Sequence, residues 1–481
     1  MKKLLHTPEG VRDIYNVECG KKLALEGRIK KVFHLYGYHD IQTPTFEYFD
    51  VFRKEIGTVP SNELYKFFDK DGNTLALRPD ITPSIARAAA TLFQDEELPI
   101  RLCYTGSIFV NHSNYQGRLR ETTQMGAELM GDDSVEADAE MLALVIESML
   151  TIGLKEFQLS VGNVDFFQSL IEDACLDEEA ELRVRELINN RNYFGVEEFL
   201  NSIQVKRSSK EAFSALNELV GGIDILAQAK NIAPNSKGVM AVKRLEKIYD
   251  TLKLYGVEKF VTFDLSMSGT YGYYTGIIFR GYTFGTGDAI VKGGRYDHLL
   301  EKFGKEFASI GFVIVIDELM NALIRQKVRI VYTRKNTLIL YDEGKQREAI
   351  ALAKDFRRKA KNTELIKKSK GKLLEEYVEY GKDFMNLASL FQNRVLSYHA
   401  DIGSAVFDIS RHIRPLCEEE AKLQLLIGED QLPGLLILHL LAGNSDFFKR
   451  FQRLVRQTSF SQSKCQVSHI WSNSYQISEY C

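Results

Sequence analysis

CYTGSIFVNHSNYQGRLRETTQMGAELMG, Cys103 to Gly131, is the stretch whose reading decides the fold. Two runs, Arg101–Val110 and Glu121–Leu129, alternate apolar with polar residues, the pattern of strands with one buried face, and flank a polar loop, Asn111–Gly117. The polar members include Arg118, Arg120, Gln124 and Glu128; the even spacing of Gln124 and Glu128 puts them on one face of a strand. An amide and a carboxylate on one face suit a small zwitterion, the carboxylate taking an ammonium group and the amide orienting it. The same alternation also fits an ordinary hairpin with its polar face in water, and periodicity does not separate the two.

Bulk properties narrow the classes. The chain has 481 residues, enough for two or three domains. With 62 Lys plus Arg against 65 Asp plus Glu, the net charge is -3, which argues against a dedicated nucleic-acid binder. The six cysteines, Cys19, Cys103, Cys175, Cys417, Cys465 and Cys481, include no CxxC pair, so neither a disulfide frame nor a zinc motif is expected. The start, MKKLLHTPEGVRD, turns polar after two leucines and does not read as a signal peptide, and the apolar run Leu432–Ala442 is too short to span a bilayer. A cytoplasmic location is expected.

Along the chain, Thr7–Asp13 is turn-rich. A helix is expected over Val17–Tyr36, with Leu23, Ile29, Val32, Phe33 and Tyr36 near helical spacing and Gly37 as its stop. His39–Phe52 reads as a strand broken by Pro44, at an edge or interface. Thr74–Arg78 is a short strand leading through Asp80 and Thr82 into a helix, Ser84–Leu92; these two residues either cap that helix or hold an amino group. Asp133–Glu136 reads as a capping box for a helix over Val135–Leu150. A strand, Phe157–Val161, precedes a helical, charged insertion at about 165–256. Strands are then expected at Val261–Ser266, Tyr273–Tyr282 and Thr283–Lys292, with a Gly285–Asp288 turn between the last two. Gly293–Asp297 breaks into a helix, and a very apolar strand, Phe312–Ile316, precedes a helix, Asp317–Gln326. Tyr273 and Tyr274 either pack in the core or line a site, and as strand neighbours only one would face it. From Lys327 a β-α-β pattern, Thr337–Tyr341, Gly344–Lys361 and Thr363–Ile366, opens a small α/β region running to about residue 427. Residues 428–481 form an unassigned tail rich in Ser, Gln and Tyr. Arg357, Arg358, Lys359, Lys361, Lys367, Lys368, Lys370 and Lys372 form the one basic cluster, either a nucleic-acid patch or a solvated face.

Read as F-x7-GRxR-x3-Q-x3-E-x2-G, Phe109 to Gly131 resembles motif 2 of the class II aminoacyl-tRNA synthetases, and of histidyl-tRNA synthetase in particular. The Thr7–Asp13 opening is similar to that family's TPxGxRD start, the strand with Pro44 to its motif 1, and LRPDITPSIAR to its LRPE-G-T segment, with Asp80 in place of the glutamate. The resemblance implies an α+β fold over residues 1–326: an antiparallel sheet flanked by helices, with a helical insertion, a small C-terminal α/β region beyond it, and a homodimer built on motif 1. It also implies that Asp80, Thr82, Arg118, Gln124, Glu128, Tyr273 and Tyr274 fall where the family holds histidine.

The departures point elsewhere. Where the family has an α-phosphate-binding arginine this chain has Val110, and the acidic residue two positions on falls on His112. In the family's RGLDYYTG motif the catalytic arginine falls on Gly269 and the aspartate on Gly272. In motif 3 the arginine falls on Glu318. Amino-acid activation concentrates negative charge on phosphates, and losing one positioned cation typically costs about 10²–10³ in rate. With all three arginines absent, the chain resembles the regulatory subunits of ATP phosphoribosyltransferase. That resemblance implies no catalysis and no cofactor of its own, a role in the first step of histidine biosynthesis and its feedback inhibition, and L-histidine as effector. The implied partner is the short-form ATP phosphoribosyltransferase catalytic subunit, with this chain as a dimer within a hetero-octamer. A synthetase-like module sensing tRNA is the alternative, supported by the basic cluster alone.

Overall fold

The computed structural model describes residues 5–52, 59–93, 96–112, 118–269, 273–332, 336–341, 343–360 and 362–369, and short strands within 386–391, 394–399, 407–408 and 424–425. The chain divides into two units, Met1–Tyr332 and Thr333–Cys481.

Gly37 sets where the first helix turns back. Helix α1, Asn16–Leu35, buries Leu25, Ile29, Val32 and Phe33. Gly37 then takes φ +82°, a left-handed conformation that costs glycine little and lets the chain reverse at the helix end. Leu23, expected on the buried stripe, is exposed; the stripe begins at Leu25. The single broken strand expected over His39–Phe52 is instead two strands in different sheets. They are β1 (His39–Asp40) and β2 (Phe46–Tyr48), followed by a 3-10 turn, Phe49–Phe52. Pro44 lies in the gap between them, where its missing N–H interrupts no ladder. With β3 (Lys66–Phe68) and β4 (Thr74–Leu77), β2 makes a three-stranded sheet in the order β2-β4-β3. Helix α2, Thr82–Leu92, follows it.

The main sheet takes β1 together with β5 (Ile100–Phe109), β6 (Glu121–Met130), β7 (Phe157–Asn163), β8 (Val220–Gly221), β9 (Val261–Asp264), β10 (Ile277–Thr283), β11 (Val291–Arg295) and β12 (Ser309–Val315). Its order is β1-β5-β6-β12-β11-β10-β7-β9-β8. It is antiparallel except for the parallel pairs β1–β5 and β7–β9. Alternation divides its faces. Met125, Ala127, Leu129, Ile310 and Phe312 pack into one large core with α1 and α3 (Val135–Thr151). The opposite face carries Tyr104, Gly106, Gln124, Gly126, Glu128, Gly311 and Gly294, because Tyr104 pairs with Gly126, Glu128 with Gly311, and Gly311 with Gly294. A second core, with Ile81 just before α2, Ile85 and Ala89 of α2, and Tyr296, Leu299 and Leu300, closes one end of that face.

Three local readings need correction. The N-cap of α3 is Ser134, whose hydroxyl accepts from the Ala137 amide at 3.1 Å, so the cap sits one residue later than the expected box. Tyr273–Gly276 lie outside the ladder and β10 starts at Ile277; likewise β11 starts at Val291, the connection before it being wider than the Gly285–Asp288 turn. Gly293, Gly294 and Arg295, read as a break into a helix, are ladder residues. Gly293 is in the strand because a Cβ there would collide with the Phe279 ring.

The insertion comprises α4 (Val164–Ala174), α5 (Glu178–Asn189), α6 (Tyr193–Ser202), α7 (Arg207–Ala215), α8 (Asp224–Ile232) and α9 (Ser236–Tyr255), with β8 between α7 and α8. Helix α10, Ile316–Arg325, follows β12. In the second unit, β13 (Asn336–Tyr341), α11 (Gln346–Arg358) and β14 (Asn362–Lys367) form the β-α-β pattern, with Ile339, Ala349 and Ala353 at its core. Strands β15 (Asn386–Phe391) and β16 (Arg394–His399) extend its sheet in the order β14-β13-β15-β16. Of the basic cluster, Arg357 donates to the Thr363 carbonyl, Lys359 pairs with Asp355 at 2.9 Å and Lys367 with Glu343 at 3.0 Å. Lys361, Lys370, Lys372 and the 428–481 tail lie outside the described residues. No described helix is long and apolar enough to cross a membrane.

Candidate functional site

Glu128 is a carboxylate sunk in the sheet, 1% exposed. Its Oε1 accepts from the Thr82 hydroxyl at 2.8 Å, and its Oε2 from the Tyr296 hydroxyl. It can lie flat because its neighbour across β12 is Gly311, where any Cβ would occupy the place of the carboxylate itself. Gly126 does the same for the Tyr104 ring and Gly294 for the Tyr274 ring. Small residues at adjacent ladder positions thus form a floor, and the aromatic side chains and the carboxylate lie along it.

Burial pushes the Glu128 carboxyl up to about 8; the Tyr296, Thr82 and Tyr104 hydroxyls pull it back down, and nearby Asp80 pushes it up further. Among the described residues, the groups acting most strongly on it are hydroxyls and another carboxylate. Burial, with Glu128 close by, holds the Tyr104 and Tyr296 phenols well above their ordinary range. Among the described residues, the buried Gln124 side-chain carbonyl on this face has no hydrogen-bond partner. Buried polar atoms are seldom left so, and this one suits a ligand that brings an N–H donor.

The expected residues separate on inspection. Glu128 and Gln124 share the face, as their spacing implied, roughly 13 Å apart along the strand with Gly126 between them. Asp80 and Thr82 divide the roles left open for them. Asp80 Oδ1 accepts from the Ile81 and Thr82 amides at the start of α2, whereas the Thr82 hydroxyl turns to Glu128. Strand alternation does not govern Tyr273 and Tyr274, which precede β10. Their rings touch each other at 4.9 Å, Tyr273 packs edge-on to Tyr296 at 6.0 Å, and Tyr274 influences the Tyr104 and Tyr296 hydroxyls. Arg118 is exposed at the edge of the described loop. Val110 is buried in the second core, Gly269 has φ +77°, Glu318 is half-buried in the first turn of α10, and His112 lies 3.6 Å from Glu63. Gly272 falls outside the described residues.

Tyr104, Tyr296 and the floor glycines were missed. Tyr104 carried a usable signal, since it sits in register with the alternating run. Tyr296 did not, because only the β11–β12 pairing brings it to Glu128.

A buried ion network supports the aromatic wall. Arg295, 3% exposed, donates to Asp138 at 2.7 Å and to Asp297 at 3.1 Å, and Arg244 of α9 donates to the same Asp138 at 2.6 Å. Asp297 accepts in turn from the Thr275 hydroxyl, next to Tyr274.

A family model described as histidyl-tRNA synthetase matches residues 10–319. A protein of Acetivibrio thermocellus named ATP phosphoribosyltransferase regulatory subunit is 39% identical over 354 residues, covering 74% of this chain and 85% of that protein. One of the same name from Thermoanaerobacter pseudethanolicus is 38% identical, covering 78% and 97%. A solved ATP phosphoribosyltransferase regulatory subunit/histidyl-tRNA synthetase from Bacillus halodurans matches with a TM-score of 0.72 at 30% identity, covering 80% of this chain and 98% of that one. The histidyl-tRNA synthetase of Nostoc, at 20% identity and a TM-score of 0.68, shares the fold. On a class II synthetase-like core, then, the chain belongs to the histidyl-tRNA synthetase-like family of ATP phosphoribosyltransferase regulatory subunits.

Proposed function

We propose that this chain is a non-catalytic regulatory subunit of ATP phosphoribosyltransferase, acting in histidine biosynthesis and conferring feedback inhibition by binding L-histidine. The observation that carries the ligand assignment is Glu128: a buried carboxylate whose partners are hydroxyls, on a face that also carries the Gln124 carbonyl, a buried acceptor with no donor among the described residues. An ammonium or imidazole N–H supplies what that surface lacks, and the Tyr273–Tyr274 wall offers a flat apolar face. In this reading Asp80, Gln124 and Thr82 contribute further polar contacts, and Arg118, exposed at the edge of the described loop, is assigned to the rim.

Absence of activation chemistry rests on Val110, Gly269 and Glu318, which stand where the synthetase motifs carry arginines. The local structure supports this reading. Val110 is committed to an apolar core, and Gly269 has a left-handed backbone in which an arginine would be strained. The relatives' names support a catalytic ATP phosphoribosyltransferase subunit as partner; we take that partner as the short form, with this chain as a dimer inside a hetero-octamer. Feedback then follows from linkage: histidine shifts the complex by as much as it binds one assembly state better than another.

Calorimetric titration of the purified chain with L-histidine, and separately with ATP, tests the reading. Histidine binding that is lost in E128Q, without ATP binding, is expected. ATP binding with pyrophosphate exchange would overturn the non-catalytic assignment, and histidine binding unchanged in E128Q would overturn the site.

A further inference from the structure

A second constellation lies at the edge of the main sheet, on the face away from Glu128. Leu102 pairs with Glu128, so Cys103 points to the opposite, helix-packed face. There the register sets Asp40 of β1 directly beside Cys103 of β5. The reversal at Gly37 brings the last turn of α1 back over this pair, and His34 Nε2 lies 3.1 Å from Asp40 Oδ2. The Cys103 sulfur is 3.7 Å from Asp40 Oδ1. An imidazole nitrogen, a carboxylate oxygen and a sulfur from three separate elements therefore fall within 4.8 Å of one another.

We infer that His34, Asp40 and Cys103 form a binding site for one divalent transition-metal ion, with zinc the best match to the donors. Zinc takes mixed nitrogen, oxygen and sulfur ligands at about 2.0–2.3 Å, which sets the ligand atoms of a tetrahedron roughly 3.3–3.7 Å apart. The 3.1 and 3.7 Å contacts run to different oxygens of Asp40, and the three ligand atoms lie within 4.8 Å of one another, so side-chain rotations that draw them together by about an ångström complete the site. Three protein ligands leave the fourth position to water. Metal binding converts the Cys103 thiol to a thiolate and releases its proton to solvent. No sequence motif announces the site, because its ligands are six and 63 residues apart and meet only through strand pairing.

One neighbour competes with the ion. Lys30 Nζ sits 2.9 Å from Asp40 Oδ1, on a side chain that is 43% exposed and free to swing out. It supplies in part the positive charge that the metal would supply, and this gives the inference a test that mere packing of Cys103 would not pass.

The full-length chain, stripped with a chelator under reducing conditions, is titrated with Co²⁺ and then displaced with Zn²⁺. The expected result is one equivalent bound, with a thiolate-to-cobalt charge-transfer band. That band is abolished in C103S, a near-isosteric change whose fold is checked by circular dichroism. H34A and D40N each weaken binding by at least about tenfold. K30M binds the ion more tightly than the parent. A charge-transfer band that survives C103S, the absence of any such band, or K30M binding no tighter than the parent overturns the site.

Discussion

Replacing Glu128 by glutamine isolates the energetic consequence of burying a carboxylate without a cation. The carboxyl titrates near 8 in the folded chain against 4.5 for the ordinary group. The folded state therefore holds a proton that the unfolded state has released between those values. Stability is highest with the group protonated and falls as pH rises from 4.5 through 8. At about 1.4 kcal/mol per pH unit, and allowing for partial titration at each end, the parent loses about 3 kcal/mol between pH 5.5 and pH 8.5 through this one group. The Glu128→Gln chain keeps similar volume and has no charge to desolvate, so it escapes that loss. The assay is scanning calorimetry of both full-length chains at the two pH values, following the transition of the synthetase-like unit. E128Q should gain on the parent by several degrees at pH 8.5 relative to pH 5.5. Parallel pH profiles would refute the reasoning, because they would mean that Glu128 is already ionised and compensated in the folded chain. Such a gain in stability with a loss of ligand binding is the ordinary signature of a site held at some cost to the fold.

Other outcomes follow from the same geometry. L-Histidine binding at pH 7 should release about one proton, since a mostly protonated Glu128 must ionise to meet an ammonium; titrations in buffers of different ionisation enthalpy measure this. Gly311→Ala places a methyl where the carboxylate lies and should weaken histidine binding by more than about tenfold, read by the same titration. Asp138→Ala leaves buried Arg295 without its main partner and should destabilise the first unit by about 3–5 kcal/mol in urea unfolding, far more than loss of an exposed pair such as Arg183–Glu186.

Much was legible because chemistry and periodicity are local properties. Alternation located β5 and β6 and put Gln124 and Glu128 on one face, since side-chain direction repeats every two residues whatever the strand pairs with. Motif spacing identified the synthetase-like core because each motif lies within a short, continuous run of sequence. Local reading failed where long-range pairing competed with it. Gly293 and Gly294 look like a chain break and are instead a place where a strand must pass beneath the Phe279 and Tyr274 rings. Tyr273 and Tyr274 look like alternating strand neighbours, yet both lie outside the ladder and their rings meet.

By itself the sequence determined the class of fold and the two strands that carry the acidic face. The tertiary structure decided what those residues are worth. Registers across β5, β6, β12 and β11 bring Tyr104, Tyr296 and three glycines to Glu128, Tyr296 alone lying 168 positions away in sequence. Removal of water by that assembly, which no single segment encodes, raises the pKa of Glu128 well above that of an ordinary glutamate. The same dependence on pairing places Cys103 beside Asp40 on the other face. Local pattern says which way a side chain points, and only packing says what it meets and how dry that place is.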